Sequence, residues 1–123
     1  MRHRDAFAAA QAIGLAMDGV AAMTRYDGAM VLKAGGTFMA AIATHPSAEP
    51  NTIVVRSEFS DREFLIEDAP DTYYVTDYYA KYPLVLARLD RLSEDALRDL
   101  LSVSRRLALA KSRTKRLSAR GRQ

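Results

Sequence analysis

Residues 21–43 read AAMTRYDGAMVLKAGGTFMAAIA, and this stretch decides the fold class. Three short segments, Ala21–Tyr26, Ala29–Lys33 and Thr37–Ala43, are separated by Asp27-Gly28 and Gly35-Gly36. Asp-Gly and Gly-Gly are favoured in two-residue hairpin turns, whose central positions take positive φ. The pattern predicts three antiparallel strands in succession.

Working outward, Ala6, Ala10, Ile13 and Met17 recur on one side of a helix from about residue 4 to 17, and Gly19 is placed to end it. After the loop His45–Pro50, Thr52–Arg56 is a fourth strand rich in β-branched residues. Ser60 can cap a short helix through about Ile66, with Asp61 and Glu63 in its first turn, and Pro70 stops it. Tyr73–Val75 and Leu84–Leu89 read as two more strands, with Pro83 tolerated at the start of the second. Leu84, Leu86 and Arg88 share one face of that last strand, and Val85, Ala87 and Leu89 the other.

The final helix carries the strongest signals. Ser93 is a good N-cap, Glu94 and Asp95 fall in the first turn, and Leu92 and Leu97 occupy the two positions of a hydrophobic staple. Leu97, Leu100, Leu101, Ser104, Leu107 and Ala108 form its inward stripe. Beyond Lys111 the sequence SRTKRLSARGRQ has only Leu117 to bury, so that segment is expected to be frayed or disordered when free. The expected architecture is α+β: one domain over residues 1–111, an antiparallel sheet of about five to six strands flanked by an N-terminal and a C-terminal helix. A basic, flexible tail over 112–123 follows it. Both faces of the sheet are apolar, so a second copy of the chain or a ligand is expected over the outer face.

The net charge of +3 is unevenly placed. Residues 1–104 hold ten Lys or Arg against fifteen Asp or Glu, whereas residues 105–123 hold eight basic residues and no acid. A mildly acidic body thus carries a positive end that attracts polyanions, although the same charges also complement a helix C-terminus and keep it soluble. The chain has no cysteine, which excludes disulfides, thiolate metal sites and a cysteine nucleophile, and suits a reducing cytoplasm. Asp5, Gln11 and Asp18 interrupt the apolar N-terminal run, so it reads as an amphipathic helix and not an export signal. No run approaches the roughly 18 apolar residues of a membrane span, and the expectation is a cytoplasmic protein that does not contact membrane.

Residues 71–89, DTYYVTDYYAKYPLVLARL, hold five of the six tyrosines. Tyr73, Tyr74, Tyr78, Tyr79 and Tyr82 fall on both faces of any strand, so some of their hydroxyls must reach water or a partner. This segment, the Gly-Gly hairpin before Phe38-Met39-Ala40, the run Arg62-Glu63-Phe64-Leu65-Ile66 and the order of elements together resemble the MmcQ/YjbR-like family. The resemblance runs from the first helix to about Lys111. It implies a compact fold with an antiparallel sheet, similar to frataxin-like proteins, and it implies DNA binding. The chain departs from that family's pattern at Tyr78, where a histidine often stands, at Lys81, often glycine, and at Arg105, often tryptophan. Two of these departures add positive charge.

Two candidate nucleic-acid surfaces result. One is aromatic and basic, with Tyr78, Tyr79, Lys81 and Arg88 as its central residues beside Tyr73, Tyr74 and Tyr82: tyrosines stack on bases or pack on sugars while cations hold phosphates. Its alternative reading is core or self-association, which suits whichever of Tyr73 and Tyr74 points inward. The other is the C-terminal set Arg105, Lys111, Arg113, Lys115, Arg116, Arg120 and Arg122. Glu58, Asp61, Glu63, Glu67, Asp68 and Asp71 form an acidic cluster that reads as a solvated helix face and not a metal site. His3 sits at a terminus and His45 in a Pro-bounded loop, with no nucleophile or oxyanion signature nearby, and Gly35-Gly36 lacks phosphate-loop spacing. The sequence therefore reads as a non-enzymatic DNA-binding protein without cofactor or metal. The alternative is an interaction module or homodimer that uses a tyrosine-rich sheet face to bind protein or a small ligand.

Overall fold

The predicted hairpins are present in the computed structural model, which describes the backbone of residues 3–120 and the side chains of residues 7–117. Strands β1 (Val20–Thr24), β2 (Met30–Ala34) and β3 (Thr37–Ile42) follow helix α1 (His3–Leu15). At Gly35-Gly36 the turn has two residues, both at positive φ (59° and 82°), and Ala34 pairs directly with Thr37. The Asp27-Gly28 turn differs from the expected two-residue form. Its loop is Tyr26-Asp27-Gly28, because the Arg25 amide donates to the Ala29 carbonyl at 2.8 Å while Asp27 Oδ1 accepts the Ala29 amide at 3.0 Å. Gly28, at φ 85°, then supplies the left-handed residue that a three-residue hairpin requires.

Strand β4 (Thr52–Arg56) pairs with β3, and the chain then crosses through helix α2 (Phe59–Asp68), strand β5 (Tyr73–Tyr74) and a one-turn helix α3 (Asp77–Ala80). It returns in β6 (Leu84–Arg88), a 3-10 turn at Leu89–Arg91 and the long helix α4 (Glu94–Arg120). The six strands form one antiparallel sheet in the order β1-β2-β3-β4-β6-β5, flanked by α1 and α4. Helix α2 starts one residue before Ser60, since the Arg62 amide donates to the Glu58 carbonyl at 2.9 Å and Glu58 is the N-cap. The serine expected to cap it therefore lies within the first turn.

One face of the sheet carries the main core. Leu32, Ala40, Ile53, Val55, Val85 and Ala87 meet Leu97, Leu100, Leu101 and Ala108 of α4, with Ala10 of α1 completing the layer. The ladder between β2 and β3 passes from Leu32↔Ala40 to Lys33↔Phe38, so Met39 is an extra residue. This bulge lets Met39 and Ala40 enter the same core, while Phe38 turns to the opposite face. Ser93 caps α4 by accepting the Ala96 amide at 3.1 Å. The inward stripe of α4 follows the expected residues except that Leu107 is only half-buried. Ala6 lies outside the described side chains.

Two serines make the contact of α4 with the sheet polar at fixed points. Ser104, fully buried, reaches the Arg56 carbonyl at 2.7 Å, and Ser112 donates to the Gly35 carbonyl at 2.7 Å. Helix α4 continues past Lys111, into the segment that the sequence leaves to fray or disorder when free. Ser112 is the one residue of this turn buried against the Gly35-Gly36 hairpin, and the helix continues from there to Arg120. No described helix is long and apolar enough to cross a membrane.

Candidate functional site

The other face of the sheet is covered by the tyrosine segment. Thr76 begins α3, and the Tyr79 and Ala80 amides both donate to its carbonyl. One helical turn lies between the two expected strands, so successive tyrosines separate: Tyr79 points inward at 8 % exposure, while Tyr78 and Tyr82, four apart, remain at 45 % and 43 %. Tyr79 packs with Val54 and Leu86 in a small second core that Phe38, Tyr74, Val75 and Leu84 border.

The loop after β3 locks onto α3. His45 stacks on Tyr78 with ring centroids 3.5 Å apart and planes 11° from parallel, and Tyr79 meets both rings edge-on. The Tyr79 hydroxyl accepts the His45 amide at 3.3 Å. His45 Nδ1 accepts the Ser47 amide at 3.1 Å, and Ser47 Oγ lies 2.9 Å from Thr76 Oγ1. The Nδ1 nitrogen of His45 is thus an acceptor, with Nε2 carrying the proton in the neutral ring.

Beside this stack runs a groove of about 410 Å³. Phe38, Ala41, Val54 and Leu84 come from the strands beneath it, Tyr78 and Tyr82 stand over it, and Arg25 and Arg56 are its charged residues. Arg56 Nε donates to the Phe38 carbonyl at 2.7 Å, and its guanidinium lies 6.0 Å from the Phe38 ring centroid. Among the described residues no carboxylate pairs with Arg56, and burial pulls its pKa below the ordinary arginine value. Arg25 reaches Thr44 Oγ1 at 2.9 Å and Asp27 at 3.5 Å, while its Nε is buried without a partner.

The predicted site residues do not form one surface. Tyr78 and Tyr79 come together with His45, which the sequence presented only as an acid–base candidate without partners, and Lys81 lies 5.4 Å from the Tyr82 ring. Arg88 is occupied elsewhere. Its Nε donates to Glu49 Oε1 at 3.0 Å, its other nitrogens reach Glu49 Oε2 and the Pro70 and Asp71 carbonyls, and its guanidinium covers Tyr74 at 4.3 Å. That hydrogen bond holds the Glu49 carboxyl below, and the Arg88 guanidinium above, its ordinary pKa. Tyr73 packs in the main core and Tyr74 in the second, so both point inward, on opposite faces of the sheet. Burial raises the Tyr73 pKa, with Asp68 adding to it.

The C-terminal basic residues sit across the sheet from the groove. Arg105 Nε donates to the Asp18 carbonyl at 2.7 Å, tying α4 to the segment after α1. Lys111, Arg113, Lys115 and Arg116 are exposed, and every residue from Arg113 to Leu117 is solvent-facing. At about 100° per residue, Arg113 and Arg116 lie on one side of α4 and Lys111 and Lys115 on the other. Arg120 closes the helix with its side chain outside those described, and Arg122 and His3's side chain lie outside the described set too. The acidic residues of the α2 region are all exposed, and among the described residues no three metal-ligating side chains come together.

Arg25 and Arg56 were the groove residues missed from sequence. The available signal was Arg56 itself, a cation ending the run TIVVR on the same strand face as Val54. No family model, curated protein or solved structure matches the chain.

Proposed function

We propose that this chain is a small MmcQ/YjbR-like binding protein, not an enzyme, that contacts DNA through the phosphate backbone with little sequence preference. The observation that carries this reading is the end of α4. Lys111, Arg113, Lys115 and Arg116 stand exposed around a helix that continues past the hairpin to Arg120, and no acidic residue follows Asp99. A helix with cations on two opposite sides offers phosphate contacts from either side without presenting one face to base edges. Arg88 drops out of the expected contact set because Nε and both terminal nitrogens already serve the fold, whereas Arg105 commits only Nε and stays in it.

The test is fluorescence anisotropy of a mixed-sequence duplex across a salt series. The parent chain is compared with a variant carrying Lys115→Gln, Arg116→Gln, Arg120→Gln and Arg122→Gln, which keeps helix-forming residues while removing charge. The variant should bind more weakly, and its logarithmic salt slope should be shallower by about 0.9 for each phosphate that the four cations neutralise in the parent. Equal affinity and slope in both proteins would sink the reading, as would an absence of binding by the parent at physiological salt.

A further inference from the structure

The groove on the tyrosine side of the sheet has features that the DNA reading does not use. Its lining residues include two arginines and no carboxylate. Arg25 is partly neutralised by Asp27, but Arg56 sits half-buried beside Phe38 without an acidic partner among the described residues. A half-buried guanidinium that spends only Nε on a backbone carbonyl keeps its two terminal nitrogens for a planar oxyanion. The cost of desolvating that charge falls when an anion pairs with it.

The walls specify the rest of the ligand. Tyr78 is held from behind by the His45 stack, which is itself pinned through Ser47 to Thr76, so its ring is ordered before any ligand arrives. Tyr82, one turn along, and Phe38 on the floor add two more aromatic surfaces. Preordered rings give up little conformational entropy when a ligand docks, and a flat ring is the shape that they accept over a large area. About 410 Å³ falls in the range of small-molecule sites.

We propose that this groove binds a small aromatic anion, its ring against Tyr78, Tyr82 and Phe38 and its carboxylate or phosphate on the Arg56 guanidinium. Arg25 lies at the opposite end of the groove, by the last residues of β3, and would receive a second polar group on a longer ligand. The site is separate from the basic end of α4, so it stands or falls independently of DNA binding.

The experiment is an amide chemical-shift titration of the full chain with four probes: phenyl phosphate, benzoate, benzyl alcohol and inorganic phosphate. Saturable shifts at Phe38, Val54, Arg56 and Tyr78–Leu84 with phenyl phosphate or benzoate are expected. Benzyl alcohol and inorganic phosphate should each bind at least about tenfold more weakly, since each lacks one half of the recognition. The preferred member of the phosphate and carboxylate pair identifies the oxyanion. Arg56→Gln should weaken the preferred probe by about tenfold. Tyr82→Ala, a change to an exposed ring, should weaken phenyl phosphate and benzoate alike and leaves the fold intact, so it decides the matter if Arg56→Gln does not fold. Shifts confined to α4, equal binding of benzyl alcohol, or Tyr82→Ala binding as well as the parent would overturn the proposal.

Discussion

The hydroxyl of Tyr74 lies 2.7 Å from Thr52 Oγ1 and accepts the Glu49 amide at 2.8 Å, while the Arg88 guanidinium covers the ring. Thr52 is 1 % exposed, so its hydroxyl has no water to turn to if Tyr74 loses its own. Tyr74→Phe should therefore cost about 1–3 kcal/mol, the penalty of a buried polar group left unpaired, and lower the melting temperature by several degrees. Tyr82→Phe is the comparison, because its half-exposed ring has no hydrogen bond through the hydroxyl among the described residues, and it should stay within about 0.5 kcal/mol of the parent. Equal destabilisation in thermal unfolding would mean that the Tyr74 hydroxyl does not bridge β4 to the loop after β3. The sequence shows that these tyrosines are numerous but not which is structural. Tyr74 and Thr52 are 22 residues apart, and only the pairing of β4 and β5 with β6 brings them together.

Helix α4 depends on one close approach to the hairpin between β2 and β3. A Cβ on Gly35 would come within 3.1 Å of both Leu109 Cδ2 and Ser112 Oγ, and Gly35 also requires positive φ. Gly28 shares the positive φ but has nothing within 4 Å of such a Cβ. Alanine at either position bears a backbone cost of roughly 1–2 kcal/mol, and only Gly35→Ala must also displace the helix. Denaturant unfolding should place Gly35→Ala about 1 kcal/mol below Gly28→Ala; equal values would show that the helix end does not rest on the turn. Both hairpins and the start of α4 were legible in sequence because turn glycines, the Ser93 cap and the leucine stripe are local signals. The continuation to Arg120 was not, since a polar segment reads as disordered unless its contact with a distant turn is known. The Asp27 loop shows the same limit at shorter range, where a side-chain hydrogen bond selected three residues over two.

At the scale of the whole molecule, the sheet separates two chemistries. Helices α1 and α4, with the basic end of α4, lie on one side, and α3 with the tyrosine groove and Arg56 lies on the other. Charge counting reveals the first, because the eight basic residues after Ser104 are close together in sequence with no acid among them. It hides the second, because Arg56 and the Tyr78–His45 stack are assembled from β4, α3 and the loop after β3, and the acidic body masks one unpaired cation. Coupling between two binding sites requires an element whose state both ligands change, and here the intervening layer is a sheet packed on both faces with no described hinge. Saturating phenyl phosphate should therefore leave DNA affinity within about twofold, and reciprocity requires DNA to leave phenyl phosphate binding equally unmoved. Salt separates the two further: the DNA titration should weaken over several powers of concentration, whereas one Arg56 contact gives a shallow dependence. If phenyl phosphate instead competes with duplex DNA, the groove belongs to the nucleic-acid surface, and Tyr78 and Tyr82 contact the nucleotide while α4 serves only to attract it.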